Sequence, residues 1–118
     1  MEEEVVNMKW YVLRVMGGKE NKTVSFIEKE LDRLLEAGRP IGAQTGVFWL
    51  PYFPPAYRFH FNGHNLVVIG KEGDEYLISD PIFEEMVRCQ ATDLRKARFA
   101  KGALAPKGKI YYIEKMPE

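Results

Sequence analysis

The sequence predicts an α+β domain in which a mostly antiparallel sheet of about five strands packs on one long N-terminal helix and a short second helix. Three observations support this class. Short runs of β-branched and aromatic residues alternate with turn residues, one early segment has helical periodicity, and a hairpin lies in the centre of the chain. A length of 118 residues suits one domain, and a hydrophobic content of 46% suits a packed core.

Charge and cysteine content restrict the class of protein. The 17 basic and 17 acidic residues cancel, which argues against a nucleic-acid binder with a broad basic face. The single cysteine, Cys89, excludes an internal disulfide and favours the cytoplasm. The acidic start differs from a signal peptide, and no apolar run reaches the roughly 20 residues of a membrane span. We therefore expect a cytoplasmic protein without membrane contact.

The N-terminal part predicts a leader, a strand and a helix. We expect a leader over residues 1–8 and a single domain over 9–118. Lys9–Val15 is rich in β-branched and aromatic residues, which predicts a strand. Lys19–Ala37 predicts a helix that ends at Gly38. Its apolar stripe has helical spacing and consists of Val24, Ile27, Leu31, Leu34 and Leu35.

An aromatic loop follows the second predicted strand, Ile41–Leu50. Residues 51–63 contain three prolines, which exclude a central strand or a long helix. Seven aromatic residues cluster here, namely Phe48, Trp49, Tyr52, Phe53, Tyr57, Phe59 and Phe61. We expect these rings to pack on the core. The alternative is a cleft that binds an aromatic or acyl group.

The central hairpin follows the loop. Leu66–Ile69 is a continuous apolar run, typical of a strand covered on both faces. Gly73 and Asp74 predict the hairpin tip, and Tyr76–Ser79 the returning strand. A strand, a short helix with Thr92 as N-cap and a final strand complete the prediction: Glu85–Gln90, Asp93–Ala100 and Lys109–Lys115.

The hairpin carries the candidate catalytic residues, His64 and Asp80. Counted from Gly73 at the turn, His64 lies nine residues before and Asp80 seven after, so both fall near the same end of the sheet. A histidine beside a carboxylate can act as a general base with its orienting group. The alternative is that Asp80 caps the turn with Pro81 and that His64 bonds a backbone carbonyl.

No nucleophile accompanies this pair. The long helix begins at Gly17–Glu20 with neither Cys nor Ser in its first turn. Cys89 is predicted to be a small buried apolar residue. Ser79 should point to the opposite face of its strand from Asp80. We therefore predict a vestigial pair, no catalytic activity of the chain's own and no cofactor.

Two other polar groups have simpler interpretations. His60 and His64 are four residues apart, but the residues between them are not helical and no acidic or cysteine ligand clusters nearby, so no metal site is predicted. The short helix carries a basic patch formed by Arg95, Lys96, Arg98 and Lys101. We expect a solvated face; contact with a phosphate or an acyl-carrier protein is the alternative.

The segment Lys9–Leu31 resembles the opening of the N-terminal domain of NusG, the transcription elongation and antitermination factor. The matching residues are Trp10, Tyr11, Val12, Gly18 and Glu20. The resemblance stops near residue 30. It implies a protein that binds RNA polymerase.

From about Glu30 to the end, the sequence resembles the N-terminal domain of BtrH, a butirosin-biosynthesis acyltransferase family whose fold is akin to that of papain-like cysteine peptidases. Four stretches carry the resemblance: Leu31–Gly42, Trp49–Phe53, His64–Val68 and Ser79–Pro81. It implies a cysteine at the start of a central helix, a histidine base and an orienting carboxylate. His64 and Asp80 match the last two roles.

These two families are unrelated and meet inside one helix. We therefore predict a chimera, natural or engineered, of a NusG-like segment over residues 9–30 and a BtrH-like segment over residues 30–118. The main prediction is a folded domain without activity. The alternatives are an acyltransferase or thiol hydrolase that uses His64 and Asp80, and a transcription factor that binds RNA polymerase. An open sheet edge would allow a homo-oligomer.

Overall fold

The computed structural model describes residues 2–7, 12–17 and 21–115, with side chains from Phe26 to Tyr112. In this part of the chain, seven strands form one antiparallel sheet and two α-helices pack on it. The predicted α+β class is confirmed. The elements are β1 Glu2–Asn7, β2 Val12–Gly17, α1 Asn21–Glu36, β3 Ile41–Thr45, β4 His64–Glu72, β5 Glu75–Ser79, β6 Val87–Gln90, α2 Ala91–Arg98 and β7 Ile110–Lys115, with a 3₁₀ turn at Pro55–Tyr57.

The strand order is β1-β2-β7-β3-β4-β5-β6. The C-terminal strand β7 lies between β2 and β3 and is antiparallel to both. It thereby joins the N-terminal hairpin to the strands that carry the candidate site. Strands β1 and β6 are the edges of the sheet, so self-association through an open edge stays a prediction. Within the described residues, neither helix is long and apolar enough to cross a bilayer.

One face of the sheet is covered by both helices. Helix α1 packs against β3 and β4, and α2 packs against β3, β5 and β6. On β4, Leu66 and Val68 are buried, whereas Val67 is half-buried and Ile69 is 40% exposed. The prediction that Leu66–Ile69 is covered on both faces is therefore wrong. All four residues are apolar, but alternate side chains point to opposite faces of the sheet, and only one of these faces packs on the core.

The N-terminal elements differ from the prediction in their bounds. β1 lies inside the predicted leader and pairs with β2 from Glu2 opposite Gly17 to Asn7 opposite Val12. This pairing satisfies backbone groups that an isolated leader would expose to water. Residues 9–11 of the predicted first strand, and the Gly18–Glu20 turn, lie outside the described residues.

The loop after β3 begins earlier than predicted. β3 ends at Thr45, not Leu50, because the Gly46 amide donates to the Ala97 carbonyl, 2.8 Å away, instead of continuing the ladder. A Cβ at Gly46 would lie 2.7 Å from Asn62 Oδ1 and 3.0 Å from the Ala100 Cβ, so a larger residue here would have to displace the buried Asn62 side chain.

Strand β6 runs directly into α2. Gln90 occupies the N-cap position, without a side-chain cap, where Thr92 was predicted. The Ala91 amide donates to the Asp74 carbonyl at 2.7 Å, which ties the start of α2 to the tip of the central hairpin. The helix begins earlier than predicted because this tertiary hydrogen bond replaces a local cap.

Candidate active site

The structure brings His64 and Asp80 together. His64 opens β4 opposite Thr45, and Asp80 follows the last residue of β5. Their side chains share the covered face of the sheet because His64 is two residues from buried Leu66, and Asp80 is two residues from buried Ile78. His64 Nε2 lies 2.6 Å from Asp80 Oδ2.

Three donors surround the Asp80 carboxylate, which is almost fully buried. Oδ2 accepts from His64 and from the Tyr52 hydroxyl at 2.7 Å, and Oδ1 accepts from the Ile82 amide at 3.0 Å. Burial alone would raise the pKa of Asp80. The hydrogen bonds from His64, Tyr52 and Ile82 outweigh burial, so the net effect lowers this pKa below its ordinary value. Asp80 is therefore ionised at neutral pH.

Asp80 also caps the turn, as the alternative interpretation proposed. The Ile82 amide donates to its side chain, and the Phe83 amide donates to its backbone carbonyl at 3.0 Å. A carboxylate that bonds the amide two residues on is typical of Asx turns. The turn and the contact with His64 coexist because they use different oxygens of one carboxylate.

The charge of Asp80 selects the tautomer of His64. An ionised carboxylate only accepts hydrogen bonds, so His64 Nε2 carries a hydrogen that it donates to Oδ2. The other ring nitrogen, Nδ1, is then the basic nitrogen of the neutral ring. The Phe53 ring packs edge-on against the imidazole at 5.5 Å between centroids and restricts its rotation.

An apolar cavity of about 380 Å³ adjoins His64. It is lined by Val47, Phe53, Pro54, Tyr57, Phe59, Phe61, His64, Ile82 and Phe83. Phe53 is buried, as expected for a ring packed on the core, but Tyr57, Phe59 and Phe61 are 64%, 56% and 47% exposed. The expectation of core packing is wrong for these three rings. They lie in a proline-rich loop outside the regular sheet, and they form one wall of the cleft.

The other nucleophile candidates lie elsewhere. Cys89 is buried in the hydrophobic core on β6, opposite Tyr76. Burial, with the nearby charges of Asp93 and Glu75, raises the pKa of its thiol to about 12, so it stays protonated. Ser79 is exposed on the opposite face of β5, as predicted.

The two histidines have different neighbours. His60 stacks on the Phe48 ring at 4.1 Å, whereas His64 bonds Asp80. Among the residues that the structure describes, no group of three His, Cys, Asp or Glu side chains is placed to hold a metal ion.

The basic patch is divided by burial. Arg95, Lys96 and Lys101 are exposed, but Arg98 is only 2% exposed. The predicted solvated face is therefore wrong for Arg98, because it lies on the α2 face that carries Leu94 toward the sheet.

Tyr52 is the residue that sequence reasoning missed. It belongs to the aromatic loop, and its hydroxyl shares Asp80 Oδ2 with His64. Tyr52 and Asp80 are 28 positions apart in the sequence. The sequence of the proline-rich aromatic loop suggested a cleft, but it does not indicate which aromatic side chain contacts the Asp80 carboxylate.

Comparison with known families identifies the fold. The profile of the family described as Butirosin biosynthesis protein H, N-terminal, matches residues 16–81. The chain belongs to this family. The match includes α1, the aromatic loop and both members of the His64–Asp80 pair. It also begins well before residue 30, where the BtrH-like segment was predicted to start, and no comparison shows a NusG segment or a chimera.

A solved structure shares the fold of this BtrH N-terminal family member. The crystal structure of a putative C39-like peptidase from Bacillus anthracis aligns with a TM-score of 0.61 and 17% sequence identity, over 90% of this chain and 52% of that chain. The chain thus spans about half the length of that peptidase. No curated protein matches the chain.

Proposed function

We propose that this domain supplies the base and the orienting carboxylate of a papain-like acyl-transfer or thiol-hydrolase site and has no catalytic nucleophile of its own. The hydrogen bond of 2.6 Å between His64 and Asp80 carries the proposal. Membership of the BtrH N-terminal family and the apolar cleft beside His64 support it. The one cysteine, Cys89, is buried in the core and does not serve this pair.

The tautomer of His64 determines which of its ring nitrogens accepts a proton during the reaction. Asp80 fixes the hydrogen on Nε2, so Nδ1 takes the proton of an attacking thiol, hydroxyl or amine as it adds to an acyl carbon. The imidazolium that forms is stabilised by the buried carboxylate. His64 then returns the proton to the leaving group. The rings of the cleft offer an apolar surface to the acyl chain.

The nucleophile comes from outside these 118 residues. Acyl transfer from a thioester to a small thiol or amine needs only a base, because the acceptor itself is the nucleophile. In a cysteine-dependent site, a thiol on another polypeptide would supply the nucleophile. Exposed Arg95 and Lys96 on α2 offer a basic surface to an acyl-carrier protein, the partner class that we propose. Cytoplasmic localisation stays a prediction from composition.

Acyl transfer between small molecules tests this function. The rate of transfer from p-nitrophenyl hexanoate to N-acetylcysteamine is measured with and without the wild-type chain. We expect an acceleration of about 100-fold, the lower end for a general base. His64→Ala should abolish it. His60→Ala is the matched control, because His60 lies four residues away and contacts Phe48 instead of Asp80. Equal rates for wild type and His64→Ala would refute the proposal.

The chimera and RNA polymerase binding depend on the NusG resemblance alone. Of the segment 9–30, residues 16–30 also fall within the BtrH family match. Trp10 and Tyr11 lie outside the described residues. Co-purification with RNA polymerase that is lost on changing both residues to alanine would support a NusG-like activity, and no co-purification would count against it.

A further inference from the structure

A second cavity lies at the other end of the central hairpin, between the two helices. It measures about 190 Å³ and is lined by Glu28, Asp32, Lys71, Tyr76, Ala91, Thr92, Leu94, Arg95 and Arg98. Lys71 follows His64 by seven residues on β4, a distance of roughly 23 Å along a strand. The cavity is therefore separate from the His64–Asp80 site.

The side chain of Arg98 is almost wholly buried at this cavity. Among the described residues, its buried Nε has no hydrogen-bond partner, and Nη2 makes one long bond of 3.4 Å to the Gly108 carbonyl. A guanidinium has five N–H donors, and buried ones are normally paired with an acceptor. An unpaired buried donor costs free energy, so this side chain is suited to a ligand that accepts hydrogen bonds.

Each of the two carboxylates that line the cavity lies close to a cationic side chain at its mouth. Glu28 Oε1 lies 2.9 Å from Arg95 Nε, although this buried oxygen makes no hydrogen bond among the described residues, and Asp32 Oδ2 lies 2.9 Å from Lys71 Nζ. Asp32 Oδ1 also accepts from the Tyr76 hydroxyl at 2.5 Å. Three cationic side chains thus line the cavity with two carboxylates. The lining therefore carries one net positive charge.

The Arg98 side chain keeps its positive charge at neutral pH. Burial lowers the pKa of Arg98 to about 10, against the opposing influence of Tyr76, Glu28 and Asp32. The guanidinium is consequently protonated at pH 7. Buried cations are costly unless an anion neutralises them.

We propose that this cavity binds a small oxyanion, with Arg98 as the main ligand and Lys71 and Arg95 at its mouth. Carboxylate and phosphate share the required chemistry, since each offers oxygens to Nε and to the second hydrogen of Nη2. A cavity of 190 Å³ holds several waters of roughly 30 Å³, enough for such an anion. Entry is open because the side chains of Lys71 and Arg95 are 31% and 61% exposed.

Titration at constant ionic strength tests the site. Phosphate and acetate replace chloride in separate arms, while NMR follows the Nε–H resonance of Arg98 and calorimetry follows the melting temperature. We expect a saturable shift at Arg98 and a rise of about 5 °C at ten times the dissociation constant. Saturation by phosphate alone, by acetate alone or by both supports the site and identifies the preferred oxyanion.

Variants connect the effect to this cavity. Arg98→Met should remove saturation, whereas Arg88→Met should keep it, because Arg88 is exposed on β6 and contacts Glu72. Lys71→Gln leaves Arg98 in place and should weaken binding about 10-fold, which keeps the proposal testable if Arg98→Met fails to fold. The proposal would be overturned if the wild-type Arg98 resonance did not saturate with phosphate or acetate up to about 50 mM, which is the result expected if the cavity holds only ordered water. An equal response to chloride would also overturn it.

Discussion

Replacement of Asp80 by alanine should destabilise the domain strongly. The change removes the acceptor of three hydrogen bonds, from His64 at 2.6 Å, Tyr52 at 2.7 Å and the Ile82 amide at 3.0 Å. Unsatisfied buried donors cost about 1–3 kcal/mol each. Ile82 is 65% exposed and its amide can turn to water, so we count only His64 and Tyr52. We expect the free energy of unfolding to fall by about 2–6 kcal/mol.

Urea denaturation followed by circular dichroism measures this loss. Asp74→Ala at the exposed hairpin tip is the matched control and should change stability by less than about 0.5 kcal/mol. Asp80→Asn keeps the shape and one acceptor oxygen near the donors, so its loss should be smaller than that of alanine. If Asp80→Ala falls within the range of the Asp74 control, the buried carboxylate does not stabilise the domain by these hydrogen bonds.

The same carboxylate predicts a pH dependence. Its folded pKa is lowered below the value of about 3.9 in an unfolded chain. The stabilisation is therefore fully present above pH 3.9 and is lost as pH falls through the lower, folded pKa. The difference in unfolding free energy between wild type and Asp80→Asn should be constant near neutrality and should shrink below about pH 4. A difference that grows in acid would contradict the assigned direction.

Three further changes test the core and the site. Leu31→Ala, at a fully buried position of α1, should lower the free energy of unfolding, measured by urea denaturation, by about 2–5 kcal/mol. Exposed Lys29→Ala should lower it by less than about 0.5 kcal/mol, and equal losses would refute the packing of α1. Cys89 should resist iodoacetamide in the folded protein and react in urea, as mass spectrometry would show; labelling of the folded chain would contradict its burial. Tyr52→Phe should cost about 1 kcal/mol in urea and leave the fold intact by circular dichroism; a loss as large as that of Asp80→Ala would mean that packing, not one hydrogen bond, dominates there.

Local patterns anticipated the regular elements well. The stripe of Ile27, Leu31 and Leu34 predicted α1, and all three side chains are buried. The hairpin was also anticipated, because glycine and charged residues between two apolar runs are a local turn signal. Such signals depend on residues within a few positions of each other, so the sequence contains them without knowledge of the rest of the fold.

Short motifs were a weaker guide than a long match. A few residues between Trp10 and Glu20 suggested NusG and a junction inside the helix, whereas the BtrH family match extends over residues 16–81. The matched range includes α1 entirely. A long profile integrates many positions, and a strand followed by a helix is common to many folds.

The sequence by itself determined that a histidine and an aspartate flank one hairpin and that its single cysteine is a poor match for a catalytic role. Only the tertiary structure decided how these groups are used. It placed Tyr52 on the same oxygen of Asp80 as His64, turned Phe59 and Phe61 toward a cleft, and buried Arg98 with its Nε unpaired among the described residues. The physical reason is that burial and hydrogen-bond partners come from segments distant along the chain, whereas sequence periodicity reports only which side of an element a residue occupies.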